Sequence, residues 1–123
     1  MNGEKILLDT NIALYLLGGD ATLATILNQK EVFLSIISEM ELLAYPTISD
    51  VEIQSVKSFI ADANILELTQ PIKEIAISIK RQYKLKLPDA IIAASAIQAN
   101  LPLISADTIF RRIPQLHFLE YKL

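Results

Sequence analysis

The spacing of hydrophobic positions changes repeatedly along the chain, and each change predicts an element. Lys5 to Leu8 is a short apolar run that stops at Asp9, as a buried strand would, and Asn11 to Leu17 continues apolar and helix-like until Gly18-Gly19 ends it. Asp20 opens a second short helix running to Gln29, and the β-branched and aromatic run Val32 to Ile37 predicts a second buried strand. Ser38 to Tyr45 reads as a helix broken by Pro46, and Ser49 to about Ala63 as a longer one carrying Val56, Phe59, Ile60 and Ala63 at helical spacing. Ile65 to Leu68 is a short third strand. Pro71 to Tyr83 places Ile72, Ile75, Ala76, Ile79 and Tyr83 on one face, leaving Lys73, Glu74, Lys80 and Arg81 to solvent. Pro88 to Asn100 is apolar almost all round, the mark of a helix buried on several sides, with Pro88 in its first turn. Leu103 to Ala106 gives a fourth strand, Asp107 to Ile113 a short helix, and His117 to Tyr121 a last strand.

Strands alternating with helices predict an α/β fold of three layers, with a mostly parallel central sheet of four to five strands covered on both faces. At 123 residues, one domain spanning 1–123 is expected, and no repeat or low-complexity stretch divides it. In a parallel sheet the carboxyl ends of the strands and the amino ends of the following helices share one edge, where ligands bind. Four acids are predicted there: Asp9 after strand one, Glu41 in the first turn after strand two, Asp89 in the first turn of the buried helix, and Asp107 after strand four.

Composition narrows the chemistry. With no cysteine and one histidine, disulfides, thiolate nucleophiles, iron–sulfur clusters and the usual Cys/His zinc sites are excluded, so any metal must be held by oxygen. The lone His117, beside Phe118 on a predicted strand, cannot supply the paired acid and base of a metal-independent ribonuclease and reads as structural. Three glycines cannot build a phosphate loop or a dinucleotide fingerprint. A net charge of −3 argues against a protein that binds nucleic acid by broad phosphate neutralisation. A hydrophobic fraction of 52% and a mean hydropathy of +0.39 predict a large core or an apolar association surface, and with it a homo-oligomer. No apolar run has the length of a membrane span, and MNGEKILLDT lacks the regions of a signal peptide, so a cytoplasmic location is expected.

Each acid has a bland account. Asp9, Asp89 and Asp107 suit helix amino termini, and Ser38-Glu39-Met40-Glu41 fits a capping box in which Ser38 and Glu41 satisfy each other's backbone donors. Together they are harder to explain as caps, because unit charges about 4 Å apart repel by roughly 4 kcal/mol at an effective dielectric near 20. Protonation or a divalent cation relieves that repulsion, and hard oxygen ligands select Mg²⁺ or Mn²⁺. Such a site can activate water and stabilise the leaving oxygen of a phosphodiester.

Leu7-Leu8-Asp9-Thr10-Asn11, Ser38 through Leu42-Leu43, Pro88-Asp89-Ala90-Ile91-Ile92-Ala93-Ala94 and Leu103-Ile104-Ser105-Ala106-Asp107 together resemble the PIN-domain family. The likeness runs from strand one to the last helix and is greatest to the VapC-type toxins, single-domain ribonucleases of bacterial and archaeal toxin–antitoxin pairs. It implies that Asp9, Glu41, Asp89 and Asp107 are catalytic and bind Mg²⁺ or Mn²⁺, with Thr10, Asn11 and Ser105 in support through hydrogen bonds. It also implies an RNA substrate, a homodimer, and a cognate antitoxin that covers or enters the acidic crevice. Tyr45-Pro46 stands where a glycine often follows the second acid, which leaves Glu39 as a rival to Glu41.

Among basic positions, Lys80, Arg81, Lys84 and Lys86 fit a solvated helix face as well as an RNA-steering one. Arg111 and Arg112, one turn beyond Asp107, are the better candidates to bind substrate phosphates. Tyr15 and Tyr45 are candidates for base stacking or for core. An aspartate-nucleophile phosphatase of the haloacid-dehalogenase type wants a second acid two residues after the first, where Asn11 stands. A phospho-accepting receiver domain wants paired acids at the end of strand one, which are absent. A catalytically silent PIN-like binding module has no need of four intact acids.

Overall fold

A computed structural model describes residues 3–46 and 48–123. Strands β1 (Lys5–Leu8), β2 (Glu31–Ser35), β3 (Asn64–Leu66), β4 (Leu103–Ser105) and β5 (Phe118–Glu120) form one sheet in the order β3-β2-β1-β4-β5. Every pairing is parallel, so the expected mostly parallel sheet is wholly so. Between the strands run α1 (Thr10–Leu17), α2 (Ala21–Leu27), α3 (Ile36–Leu43), α4 (Asp50–Asp62), α5 (Gln70–Tyr83) and α6 (Leu87–Ala99), with a 3-10 helix (Thr108–Arg112) before β5.

The period of two along each strand separates two cores. Leu7 and Leu103 face α5, α6 and the 3-10 helix, joining Ile79, Ile92 and Phe110. Ile6, Leu8, Leu34 and Ile104 face the other way, onto Ile12 of α1, Leu23 of α2, Leu42 of α3 and Val56 of α4. Helix α6 is buried continuously from Ala90 to Ala96, as its all-round apolar sequence requires, and Ser95 satisfies its hydroxyl by donating to the Ile91 carbonyl at 2.8 Å. Among the described residues no single helix is long and apolar enough to cross a membrane.

The chain builds outward from β1 to β2 and β3, then crosses back to place β4 and β5 on the other side of β1. Right-handed crossovers in opposite directions lie on opposite faces, so the helices after β1 and those before β4 part from one another at this reversal. A crevice opens there, above the carboxyl ends of β1 and β4.

One boundary departs from the sequence reading in a way that matters to the site. β2 ends at Ser35 and α3 starts at Ile36, two residues before the predicted helix, because the buried Ser35 hydroxyl accepts the Ile37 N–H and caps the helix itself. Glu41 therefore lies in the second turn of α3, and the Ser38/Glu41 capping box does not form. Among the described residues the capping box is Ser49/Glu52, at the start of α4. The predicted short helix after Asp107 is of the tighter 3-10 kind.

Candidate active site

Asp9 leaves β1 in extended backbone and caps α1, its Oδ1 accepting the Thr10 N–H at 2.7 Å. Its Oδ2 accepts from Ser105 Oγ at 2.6 Å, and the residue is only 7% exposed. Ser105, at the end of β4, is fully buried, and its Oγ in turn accepts the Asp107 N–H at 3.0 Å. One hydroxyl thus ties the β1 carboxylate to the backbone that follows β4, across the reversal of strand order. Asp107 caps the 3-10 helix through Oδ1, which accepts the Ile109 N–H at 3.0 Å.

Glu41 reaches from α3 to the first turn of α1, where Thr10 Oγ1 donates to its Oε1 at 2.6 Å. Thr10 Oγ1 also stands 2.8 Å from Ser38 Oγ. Asp89 sits in the first turn of α6, but the N-cap there is Lys86 and no side chain caps the helix. The capping account of Asp89 accordingly fails, whereas Asp9 and Asp107 cap and also face the crevice.

The crevice has a volume of about 390 Å³ and is lined by all four acids with Thr10, Asn11, Leu14, Ala44, Tyr45, Pro46 and Ile92. Burial raises the Asp9 carboxyl pKa above its ordinary value. The hydrogen bonds from Ser105 and Thr10 oppose that rise, and the charges of Asp107 and Glu41 add to it. Asp89 is pushed up to about 6, first by burial and then by the charges of Asp9 and Asp107, with Lys86 opposing and Glu41 adding. The acids therefore feel one another across the crevice. Among the described residues no three of them stand close enough together to hold an ion in their present rotamers, in which Asp9 and Glu41 have oxygens occupied by hydroxyl and amide donors.

Other candidates fall outside. Arg111 makes a two-pronged ion pair with Glu120 of β5, Nε to Oε1 at 2.7 Å and Nη2 to Oε2 at 2.8 Å, and Arg112 donates to the Tyr83 carbonyl. Neither lines the crevice, nor does Glu39, which leaves Glu41 as the α3 acid facing it. Tyr45, 45% exposed, is on the rim, while Tyr15 packs against the second core. His117 is exposed. Local spacing does not reveal Leu14 and Ile92, the apolar part of the wall. Ser38 shows a signal in the sequence, its i,i+3 relation to Glu41, but that signal points to a cap.

Fold and crevice together define a class: a parallel α/β domain with carboxylates gathered at its switch point. The family model described as PIN domain matches residues 6–116, and the chain belongs to that family. A chain of a toxin-antitoxin complex from Klebsiella pneumoniae shares 31% identity at a TM-score of 0.84, over 96% of this chain and 99% of that one. Two more distant structures share the fold. VapBC2 from Rickettsia felis, bound to a DNA fragment from its promoter, matches at 18% identity and a TM-score of 0.81, over 96% of this chain and 99% of that one. VapBC-1 from nontypeable Haemophilus influenzae matches at 22% identity and a TM-score of 0.77, over 94% and 97%. No curated protein matches the chain.

Proposed function

We propose that this chain is a VapC-type toxin, an endoribonuclease that hydrolyses RNA phosphodiester bonds with Mg²⁺ or Mn²⁺ and is restrained by a cognate antitoxin. The observation that carries the reading is the gathering of Asp9, Glu41, Asp89 and Asp107, from four separate elements, around one crevice at the switch point. The fold has no need of Asp89 or Glu41 as caps, and their crowding works against ionisation at Asp89.

The donor set fits a hard divalent cation, since every candidate ligand is a carboxylate oxygen. Asp9, Glu41, Asp89 and Asp107 are the residues that would hold it, after rotation of the freer side chains. When bound, the ion supplies positive charge against the charge developing on the phosphodiester and acidifies a water for attack. The chain's own part is orientation. Thr10 N–H and Ser105 Oγ fix both oxygens of Asp9, Thr10 Oγ1 fixes one oxygen of Glu41, and the Ile109 N–H fixes Asp107. Asn11, exposed on the rim, offers an amide to phosphate or base edges, and Tyr45 a face on which an unpaired base can stack. The Klebsiella relative's description as a toxin-antitoxin complex supports the antitoxin partner. Exposed Ile77 and Leu87, with the apolar-rich composition, support the homodimer.

The test is cleavage of a structured-RNA pool by purified protein with Mg²⁺, Mn²⁺ or EDTA, beside Asp9→Asn checked for normal folding. Cuts that require the ion and vanish in the variant support the reading. If neither ion produces cuts and calorimetry finds no metal binding, a silent binding module is the better account.

A further inference from the structure

Ser38 is fully buried, and its Oγ lies 2.8 Å from Thr10 Oγ1, on a different helix. A serine or threonine deeper in a helix ordinarily satisfies itself on the carbonyl four residues back, as Ser95 does on Ile91 and Thr25 on Ala21, whereas Ser38 is third in α3, where that carbonyl belongs to Leu34 of β2. Ser38 instead spends its hydroxyl on α1. The direction of that bond follows from counting hydrogens. Thr10 Oγ1 carries one, and it goes to Glu41 Oε1 at 2.6 Å. Thr10 must therefore accept from Ser38. The result is a directed chain, Ser38 to Thr10 to Glu41, in which each donation strengthens the next.

We propose that Ser38 is a positioning residue of the crevice, acting through Thr10 to hold the Glu41 carboxylate at the crevice wall, with one oxygen fixed and the other left for a cation. The inference rests on the metal-dependent reading above. Ser38 and Glu41 are one helical turn apart on the same face of α3, so the chain of hydroxyls closes a small loop, α3 to α1 and back to α3, that leaves Glu41 little freedom to swing away. Buried Ser38 has no exposure to water with which to replace this bond, and no buried side-chain polar atom among the described residues lacks a partner. Removing Ser38 Oγ frees the Thr10 hydroxyl to turn, and with it Glu41.

The experiment measures Mn²⁺ binding alone, without RNA, from the loss of the free-ion electron paramagnetic resonance signal on titration into full-length protein. Four proteins are compared: wild type, Ser38→Ala, Glu41→Ala, and the double variant. Each is melted in EDTA as a check of folding. Groups that orient metal ligands are worth about 10–100-fold in affinity, so Ser38→Ala is expected to raise the Mn²⁺ dissociation constant by about 10-fold or more while melting near wild type. In the Glu41→Ala background the same change is expected to add less than about twofold, because the group it positions is gone. If Ser38→Ala itself melts low, Ser38→Cys fills the site with a slightly larger group that is only a weak donor, and is expected to give a smaller loss that again disappears without Glu41. Binding as tight as wild type, or an equal weakening with and without Glu41, overturns the role of Ser38. Absence of Mn²⁺ binding by wild type overturns the metal-dependent reading itself, and is told apart because it appears before any substitution.

Discussion

Asp89 shows at the scale of one residue what burying an acid among other acids costs the fold. Burial and the charges of Asp9 and Asp107 raise its carboxyl from the ordinary 3.8 to about 6. The folded chain therefore keeps this proton through a range of pH in which the unfolded chain has lost it. A carboxyl raised in the folded state makes the protein most stable while it is protonated. Stability then declines as pH climbs from about 4 to about 6, and the deficit persists above that. Asp9 is shifted in the same direction. Asp89→Asn mimics the neutral acid at every pH. It is expected to raise the melting temperature in EDTA at pH 8, with a gain that shrinks at pH 4, and to abolish RNA cleavage. Calorimetric melts at the two pH values check this, and a variant less stable than wild type at pH 8 would show that the charge is structural. Because the same proton competes with the cation, Mn²⁺ affinity of the wild type is expected to fall as pH drops through about 6.

At the scale of elements, what could be read from the sequence depended on whether local chemistry and tertiary partners agreed. β1 and α6 were legible because each carries its own boundary: an apolar run that stops at Asp9, and a Pro88-Asp89 opening to an apolar helix. The junction of β2 and α3 was not, because Ile36 and Ile37 suit a strand by propensity while the buried Ser35 hydroxyl decides for a helix. That two-residue error turned Ser38 and Glu41 into an apparent capping box, when the partner of both is Thr10, far back in the chain on another helix. No local spacing encodes such a pairing. The end of α5 carries a separate cost that a propensity reading also misses: Lys84 caps it at φ 56°, in the left-handed region. Lys84→Gly relieves that strain at some loss of unfolded-state restriction, for a net gain of about 0.5–1 kcal/mol. Urea unfolding is expected to show a higher midpoint with an unchanged slope.

For the whole molecule, alternation of strands and helices was enough to predict the layers and the shared edge, and hence four acids at one site. It did not predict the order β3-β2-β1-β4-β5, since nothing in the spacing says that β4 returns to the free side of β1. That return makes Asp9 and Asp107 neighbours through Ser105. It also creates an electrostatic problem for a protein whose proposed substrate is a polyanion. The chain carries a net charge of −3, the crevice is lined by four acids, and the two arginines expected to meet phosphates are engaged elsewhere, Arg111 with Glu120 and Arg112 with the Tyr83 carbonyl. On the proposed reading the crevice without a cation repels RNA, so binding of substrate and of metal is expected to be linked. Neutralising two acids separates this effect from catalysis. The double variant Asp9→Asn/Asp89→Asn moves the net charge from −3 to −1. In EDTA it is expected to bind a labelled single-stranded RNA more tightly than wild type, and in Mn²⁺, with an RNA analogue whose linkages resist hydrolysis, the order should reverse. Fluorescence anisotropy at several salt concentrations measures both. A shallow dependence on salt is expected, because few lysines and arginines can release counterions at the crevice. Equal affinities of the two proteins in EDTA would mean that RNA does not approach these acids at all, and would move the substrate surface elsewhere on the molecule.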